Sequence, residues 1–436
     1  MPRRSSSQAP PGAAAYLAAR TRFGIKFGLN TVRALVKAMG HPELCYPTLL
    51  IAGTNGKGSV AAYSDFALRA SGLRVGRYTS PHLVRMNERI VVGGREISDR
   101  DLDAAVGRVR ETAEALVRDR VIAAHPTHFE ALTAAAFEHF RRARVEVAVL
   151  EVGMGGRLDA TNVAAPLASA IVNIDLDHQA YLGTTLAAIA GEKAGVLRRG
   201  RATVLGPLPP QARAVVLRRA RALHARLVDA RAGCMVATRG DRLDLRTPRA
   251  QYRGLRPLPG AHQRDNLLVA IRLLEEAQAA GLPLELSRLG AGIARTRWPG
   301  RLEWIPGRPP VLLDGAHNPG GGRALAEYLR TRRPFVLLFG VMADKNVTEL
   351  ARVLFPLARA VVLTQPRGGR AASPEEIARR AGAWGLRAHR EAVPGRALDL
   401  ARRLAVGGEP VVVAGSLFLV GEVIAILKKE RRARAG

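Results

Sequence analysis

Pro47-Thr48-Leu49-Leu50-Ile51-Ala52-Gly53-Thr54-Asn55-Gly56-Lys57-Gly58-Ser59 is the stretch that sets the fold class of this 436-residue chain. Its first half is a short apolar run that ends in glycines, the pattern of a strand buried on both faces of a parallel sheet. A helical pattern follows from about Val60 to Ala70. Glycines between a strand and a helix let backbone N–H groups come close to a phosphate, and the helix amino terminus favours its negative charge. Lys57 is positioned to reach the β- and γ-phosphates, and Ser59 stands where a hydroxyl meets magnesium in other phosphate loops. Two residues rather than the usual four separate Gly53 from Gly56, so the loop is a variant of the common phosphate-loop spacing.

Outward from this loop, strand patterns recur at Arg74–Tyr78, Val145–Leu150 and Ala168–Ile174, alternating with helical patterns at 99–120 and 128–142. Residues 15–40 are also helical in periodicity, interrupted at Ile25–Asn30. Such alternation predicts a doubly wound α/β sheet with ligands at the carboxyl ends of its strands. The Pro- and Arg-rich region 206–260 reads as an antiparallel β elaboration, followed by helices at 264–280 and 285–296. Trp298-Pro299-Gly300 is a stop, and a second α/β series begins after it, with strands at 310–314, 335–340, 360–364 and 410–415. The expected organisation is a disordered tail at 1–15, an ATP-binding unit at 16–298 and a carboxy-terminal α/β unit at 301–436, with a cleft between the two units.

Composition narrows the function. The chain is 47% apolar and no stretch reaches the roughly 18 uninterrupted apolar residues of a membrane span. Cys45 and Cys234 have no CxxC partner, which argues against a disulfide framework or zinc site and suits a reducing cytoplasm. The formal charge of +30 fits either nucleic acid or anionic small substrates. The arginines are scattered along helical stretches without aromatic interleaving, which favours a solvated basic surface over a specific nucleic-acid site. Only seven of the 67 basic residues are lysine, and three of them, Lys57, Lys193 and Lys345, adjoin the polar motifs below. A lysine kept in an arginine-rich chain marks a place for a compact or titratable amine.

The remaining polar motifs each follow a predicted strand. They are Thr79-Ser80-Pro81-His82-Leu83, Glu151-Val152-Gly153-Met154-Gly155-Gly156-Arg157-Leu158-Asp159-Ala160-Thr161-Asn162, Asp177-His178 and Glu192-Lys193-Ala194-Gly195. Oxygen donors such as Ser80 and Glu151 suit a hard Mg²⁺ ion. In the second unit, Leu313-Asp314-Gly315-Ala316-His317-Asn318-Pro319 and Gly415-Ser416-Leu417-Phe418-Leu419-Val420-Gly421-Glu422 end strands in the same way. Thr127 and Glu130 have the spacing of a helix capping box.

Together with HQRDN (262–266) and WPGR (298–301), these motifs resemble the dihydrofolate synthase/folylpolyglutamate synthase family of the Mur ligase superfamily, in family order from about residue 25 to 422. The resemblance implies a two-domain Mur-ligase-like architecture. Its activity would be ATP-dependent ligation of glutamate to dihydropteroate or tetrahydrofolate carboxylates through an acyl phosphate. ATP contacts are implied at Thr54, Asn55, Gly56, Lys57, Gly58, Ser59, Asn266, Arg301 and Asp314, with His317 in the same loop as a catalytic candidate beside Lys57 and Lys193. Two Mg²⁺ sites are implied at Ser80, Glu151, His178 and a carbamylated Lys193. The pterin side resembles Ile25, Lys26 and Phe27, then Thr127, His128, Phe129 and Glu130, then Leu158, Asp159 and Ala160. Gly28-Leu29-Asn30-Thr31 lacks the arginine common at this point in the family, a departure that bears on the choice of pteridine. A Mur-type peptide ligase on another carboxylate is the alternative. The expected partners are the small substrates alone, with no nucleic acid, no membrane and no partner subunit.

Overall fold

The computed structural model describes residues 12–21, 28–332, 334–368 and 370–435. Ile25, Lys26 and Phe27 lie outside the described residues. Strands β1 (Thr48–Ala52), β2 (Val75–Tyr78), β3 (Ile90–Val92), β4 (Arg95–Glu96), β5 (Val147–Glu151), β6 (Pro166–Ile171), β7 (Ala202–Leu205) and β8 (Arg226–Asp229) form one sheet in the order β4-β3-β2-β5-β1-β6-β7-β8. It is parallel from β2 to β8, and β3 and β4 join antiparallel at the edge.

All five residues of β1 are buried. Leu50 and Ala52 face one core and Leu49 and Ile51 the other, which is why this strand is apolar without alternation. The first core is covered by the helices Ala13–Thr21, Asn30–Ala38, Asp99–Arg118, His128–Arg142 and Pro210–Leu223. The second is covered by Lys57–Ala70, His262–Ala279 and Leu289–Arg295, with the antiparallel strands β9 (Met235–Arg239), β10 (Arg242–Arg246) and β11 (Gln251–Leu255) packed beside them. Further along the chain, β12 (Glu303–Ile305), β13 (Val311–Leu313), β14 (Val336–Phe339), β15 (Ala360–Leu363), β16 (His389–Arg390) and β17 (Val411–Ala414) form a separate sheet ordered β12-β13-β17-β14-β15-β16. Only β12 is antiparallel in it, and each face has its own apolar core. The mixed α/β class with two sheet-bearing units therefore stands.

Three local expectations need correction. The tail does not extend to residue 15, because Ala13–Ala15 begin a helix whose Ala13 N–H donates to Asp103 Oδ1 at 2.7 Å. Alanine costs a helix the least, and Ala13, Tyr16 and Leu17 are buried against the first core. The region 206–260 is antiparallel only from Met235 to Leu255; it starts with the helix Pro210–Leu223 and the parallel strand β8. Pro209-Pro210 opens that helix, where a missing N–H costs nothing, and Ala212, Val216 and Ala220 recur every fourth residue on its buried side. The β3–β4 hairpin around Gly93-Gly94 was not anticipated.

Thr127 and Glu130 do form a reciprocal cap. The Thr127 N–H and hydroxyl both donate to Glu130 Oε2 at 2.8 Å, and the Glu130 N–H donates to Thr127 Oγ1 at 3.3 Å. The carboxylate is thus used at the helix start and is buried there. Glu130→Gln should lower stability by about 1 kcal/mol, the usual scale for a lost cap. A denaturant midpoint shift without a change in acceptor KM would match this; a selective rise in acceptor KM would not.

Candidate active site

β1 delivers the chain to a turn at Gly53–Gly56, and the helix Lys57–Ala70 starts there. Gly56 has a left-handed φ of 80°, and a Cβ at this position would strike the Asn266 side chain. Side chains beyond β6 hold the turn: the Asn55 N–H donates to Asn173 Oδ1 at 2.8 Å, and the Thr54 hydroxyl exchanges hydrogen bonds with the Asp175 backbone. The first-turn N–H groups of Lys57, Gly58 and Ser59 have no intrahelical acceptor, as at any helix start, so the turn is shaped for an anion. Lys57 Nζ folds back to donate to the Gly53 and Thr54 carbonyls at 3.1 and 3.2 Å. Lys193 Nζ donates to the same Gly53 carbonyl at 2.8 Å.

Asp177 joins this loop to the second sheet's unit. Its Oδ1 accepts from Lys345 Nζ at 2.7 Å and its Oδ2 from Asn318 Nδ2 at 2.8 Å. Asn318 and Asn55 exchange amide hydrogen bonds at 2.9 and 3.2 Å, and Arg323 reaches Asp175 at 2.7 Å. His317 Nε2 and His178 Nε2 stand 3.7 and 3.9 Å from Asp177 Oδ2. Burial works to raise the Asp177 carboxyl, but nearby His317 and the neighbouring charges, Lys345 among them, hold it well below the usual carboxylate range. All three lysines singled out in the sequence therefore converge here.

The proposed metal donors fall into two groups. Ser80 and Glu151 line the larger cavity, while His178 and Lys193 line a small cleft with Gly53, Thr54, Lys57 and Asp177. Among the described residues no three His, Cys, Asp or Glu side chains form a metal cage by themselves. Glu151 Oε2 accepts from the Ser80 N–H at 3.1 Å, and burial raises this carboxyl above its ordinary value. Burial lowers His178 to about 4, leaving a neutral imidazole at pH 7. Burial and the adjacent Lys57 charge bring Lys193 down to about 7.

On the nucleotide side, Asn266 is buried and donates to Gln263 Oε1 at 3.1 Å; Gln263 in turn donates to Ser59 Oγ at 3.2 Å. Both Asp314 oxygens accept backbone N–H groups, from Leu302 and Ala316, and the Arg301 guanidinium lies beside it. His317 Nδ1 contacts its own loop at Gly315 O, 2.8 Å away. On the pterin side, Asp159 is consumed by Met154, Thr161 N–H and the Thr161 hydroxyl, so it caps the turn Ala160–Val163. His128 Nδ1 meets Leu17 O at 3.1 Å, Phe129 lies 6.0 Å from the Tyr78 ring, and Leu158 is half-buried. Sequence reading missed Gln263 and the Asp175–Arg323 pair; the i, i+3 spacing of Gln263 and Asn266 on one helix was the available signal for the first.

Residues 300–417 match the family model of the Mur ligase glutamate ligase domain. The dihydrofolate synthase/folylpolyglutamate synthase of Bacillus subtilis is 35% identical over 360 residues, covering 80% of this chain and 83% of that protein. The folylpolyglutamate synthase of Mycobacterium tuberculosis, solved with ADP and AMPPCP, superposes with a TM-score of 0.88 at 33% identity, over 95% of this chain and 98% of that one. A bifunctional folylpolyglutamate synthase/dihydrofolate synthase solved with Mn, AMPPNP and L-glutamate gives 0.85 at 28% identity, over 97% and 100%.

Removing the amine from the buried Asp177–Lys345 pair leaves an uncompensated charge, which typically costs 3–5 kcal/mol. Lys345→Met should therefore lower the denaturant midpoint by about that amount, and adding Asp177→Asn should recover part of it. A single substitution that leaves stability unchanged would show the pair to be solvated.

Proposed function

This chain belongs to the dihydrofolate synthase/folylpolyglutamate synthase family of the Mur ligases, and on that footing we propose how its own residues divide the work. It is an ATP-dependent ligase that joins glutamate to folate carboxylates. An acceptor carboxylate oxygen attacks the γ-phosphorus of ATP and ADP leaves. The glutamate amine then attacks the acyl carbon, the amide C–N bond forms, phosphate departs with the former C–O bond, and the amine's proton passes to solvent. The observation that carries this reading is the convergence of Lys57, Lys193, Lys345 and Asp177 on the turn after β1.

Such transfer asks a protein chiefly for position and charge neutralisation. In our reading the first-turn N–H groups and Lys57 hold the β- and γ-phosphates; Asn266, Arg301 and Asp314 hold the rest of the nucleotide. His317 orients the phosphate-side loop through Asp177. The donor set fits two Mg²⁺ ions. Ser80 offers a hydroxyl, Glu151 has an oxygen that no described hydrogen bond uses, and His178 offers a neutral nitrogen. When bound, the ions supply neutralisation of phosphate charge. A bare ammonium at Lys193 would repel them. Its lowered pKa instead favours the neutral amine, which adds CO₂ with loss of a proton to give a carbamate. The pterin is assigned to the side of His128 and Phe129, with both dihydropteroate and tetrahydrofolate as acceptors. We divide the chain into an ATP-binding unit at 16–298 and a glutamate-ligase unit at 301–436, acting as a monomer in the cytoplasm. Among the described residues no helix is long and apolar enough to cross a membrane.

Lys57→Ala should reduce ligation by about 10²-fold or more with the fold intact, the scale for one preorganised charge contact; a loss of only a few-fold would remove the phosphate-loop assignment. Lys193 should take up ¹³CO₂ increasingly as pH rises through about 7, because its neutral fraction grows there. Carbon-13 NMR would follow the carbamate signal, which must be absent from Lys193→Arg. Full ligase activity in Lys193→Arg would rule the carbamate out.

A further inference from the structure

The chain leaves the first unit through residues 296–300, and both ends of this link are fixed. The Thr296 hydroxyl donates to the Gly292 carbonyl at 3.3 Å, closing the helix Leu289–Arg295. That helix lies tight on the helix Lys57–Ala70, since a Cβ at Gly292 would strike the backbone of Phe66 and Ala67. At the other end Gly300 is already docked on the second unit. Its carbonyl accepts from the Gly315 N–H at 2.9 Å, and a Cβ on it would strike the Val420 side chain. Trp298 stands between these two anchors.

Its indole has a specific seat. A Cβ at Gly58 would meet Trp298 Cζ2 at 2.9 Å and Nε1 at 3.0 Å, so the ring lies on the second residue of the helix that starts at the phosphate turn. The absent side chain at 58 is what admits it. Arg77 of β2 stacks on the same ring, its guanidinium carbon 4.9 Å from the centroid, an attraction that strengthens away from water. Arg77 is buried and is aimed by Asp65, which accepts from Arg77 Nη1 at 2.7 Å and from Arg69 Nε at 2.8 Å. Both Asp65 oxygens are thus taken. Gly58 and Asp65 are seven residues apart, two turns and about 10 Å along one face of the helix. Indole and guanidinium share that face, with the indole over its phosphate end.

We propose that Trp298 is a positioning residue for ATP: braced by Arg77, it holds Gly58 and so fixes the first-turn N–H groups, and it sets where Arg301, three residues on, enters the site. The inference rests on the assignment of the turn after β1 to the phosphates of ATP. A hydrogen bond weakens steeply once its angle departs from linear, so a loosened first turn costs nucleotide affinity. Glutamate and the acceptor do not use these N–H groups and are spared.

Steady-state ligation by the full chain, with circular dichroism to establish folding, tests it. Trp298→Leu should raise the KM for ATP about tenfold while the KM for glutamate and for acceptor stays within about twofold, and Trp298→Phe, which returns a flat ring, should restore most of the affinity. Arg77→Lys keeps a charge for Asp65 but offers the indole no planar face, and should act in the same direction. Gly58→Ala should cost about tenfold in the unsubstituted chain and within about twofold when added to Trp298→Leu, because the collision is then gone. An unchanged KM for ATP in folded Trp298→Leu would overturn the proposal, as would an equal rise for all three substrates or a Gly58→Ala penalty that is the same in both backgrounds. If Trp298→Leu does not fold, Arg77→Lys decides by the same criteria. Unaltered kcat and ATP KM in Lys57→Ala would instead defeat the phosphate-loop reading itself.

Discussion

Asp177, at the carboxyl side of β6, receives an ammonium and an amide from the second sheet's unit at 2.7 and 2.8 Å while lying within two residues of the backbone that holds the phosphate loop. A carboxylate this buried is tolerated only with such partners, since an unpaired charge in a low-dielectric site is strongly unfavourable. Its ionised state therefore depends on the second sheet's unit being in place. The loop in turn is held by Asn173 and Asp175, so the shape of the anion cradle and the seating of the second unit share one short segment, residues 173–178.

The same coupling makes sense of a ligase with a labile intermediate. On the proposed mechanism an acyl phosphate must meet an amine and not water, and contacts made by both units around the loop after β1 suit that need. Asn55–Asn318 and Arg323–Asp175 join the two units directly. The basic composition has a bearing here as well. ATP, folates and glutamate are all anions, and a chain of net charge +30 draws them in by its field. Inside, by contrast, buried carboxylates hold the cations: Asp65 pairs with Arg69 and with Arg77, whose guanidinium stacks on the Trp298 ring, and Glu275 pairs with Arg272 in the second core.

Much of the scaffold was legible because burial writes itself into composition. β1 and β17 are apolar without alternation since both faces are covered, and His128–Arg142 begins where its capping box says it should. The errors came where local chemistry pointed two ways. Pro209-Pro210 within an arginine-rich stretch suggested broken structure, yet it opens a helix whose small buried residues carry only a faint period. Asp159 and Asp314 sit in polar motifs, but their oxygens go largely to neighbouring backbone N–H groups, a role that no spacing distinguishes from ligand binding.

The sequence by itself determined the parallel α/β class, the phosphate loop between β1 and its helix, and the residue types gathered at the strand ends, because these follow from short-range pattern and elementary charge chemistry. Tertiary structure alone decided which of those residues meet. Asp177 and Lys345 are 168 positions apart, and Lys193 and Gly53 are 140 apart. It also separated Ser80 and Glu151 from His178 and Lys193 into two spaces. Distances of that kind arise from how two sheets and their helices pack, and a linear pattern contains no term for them.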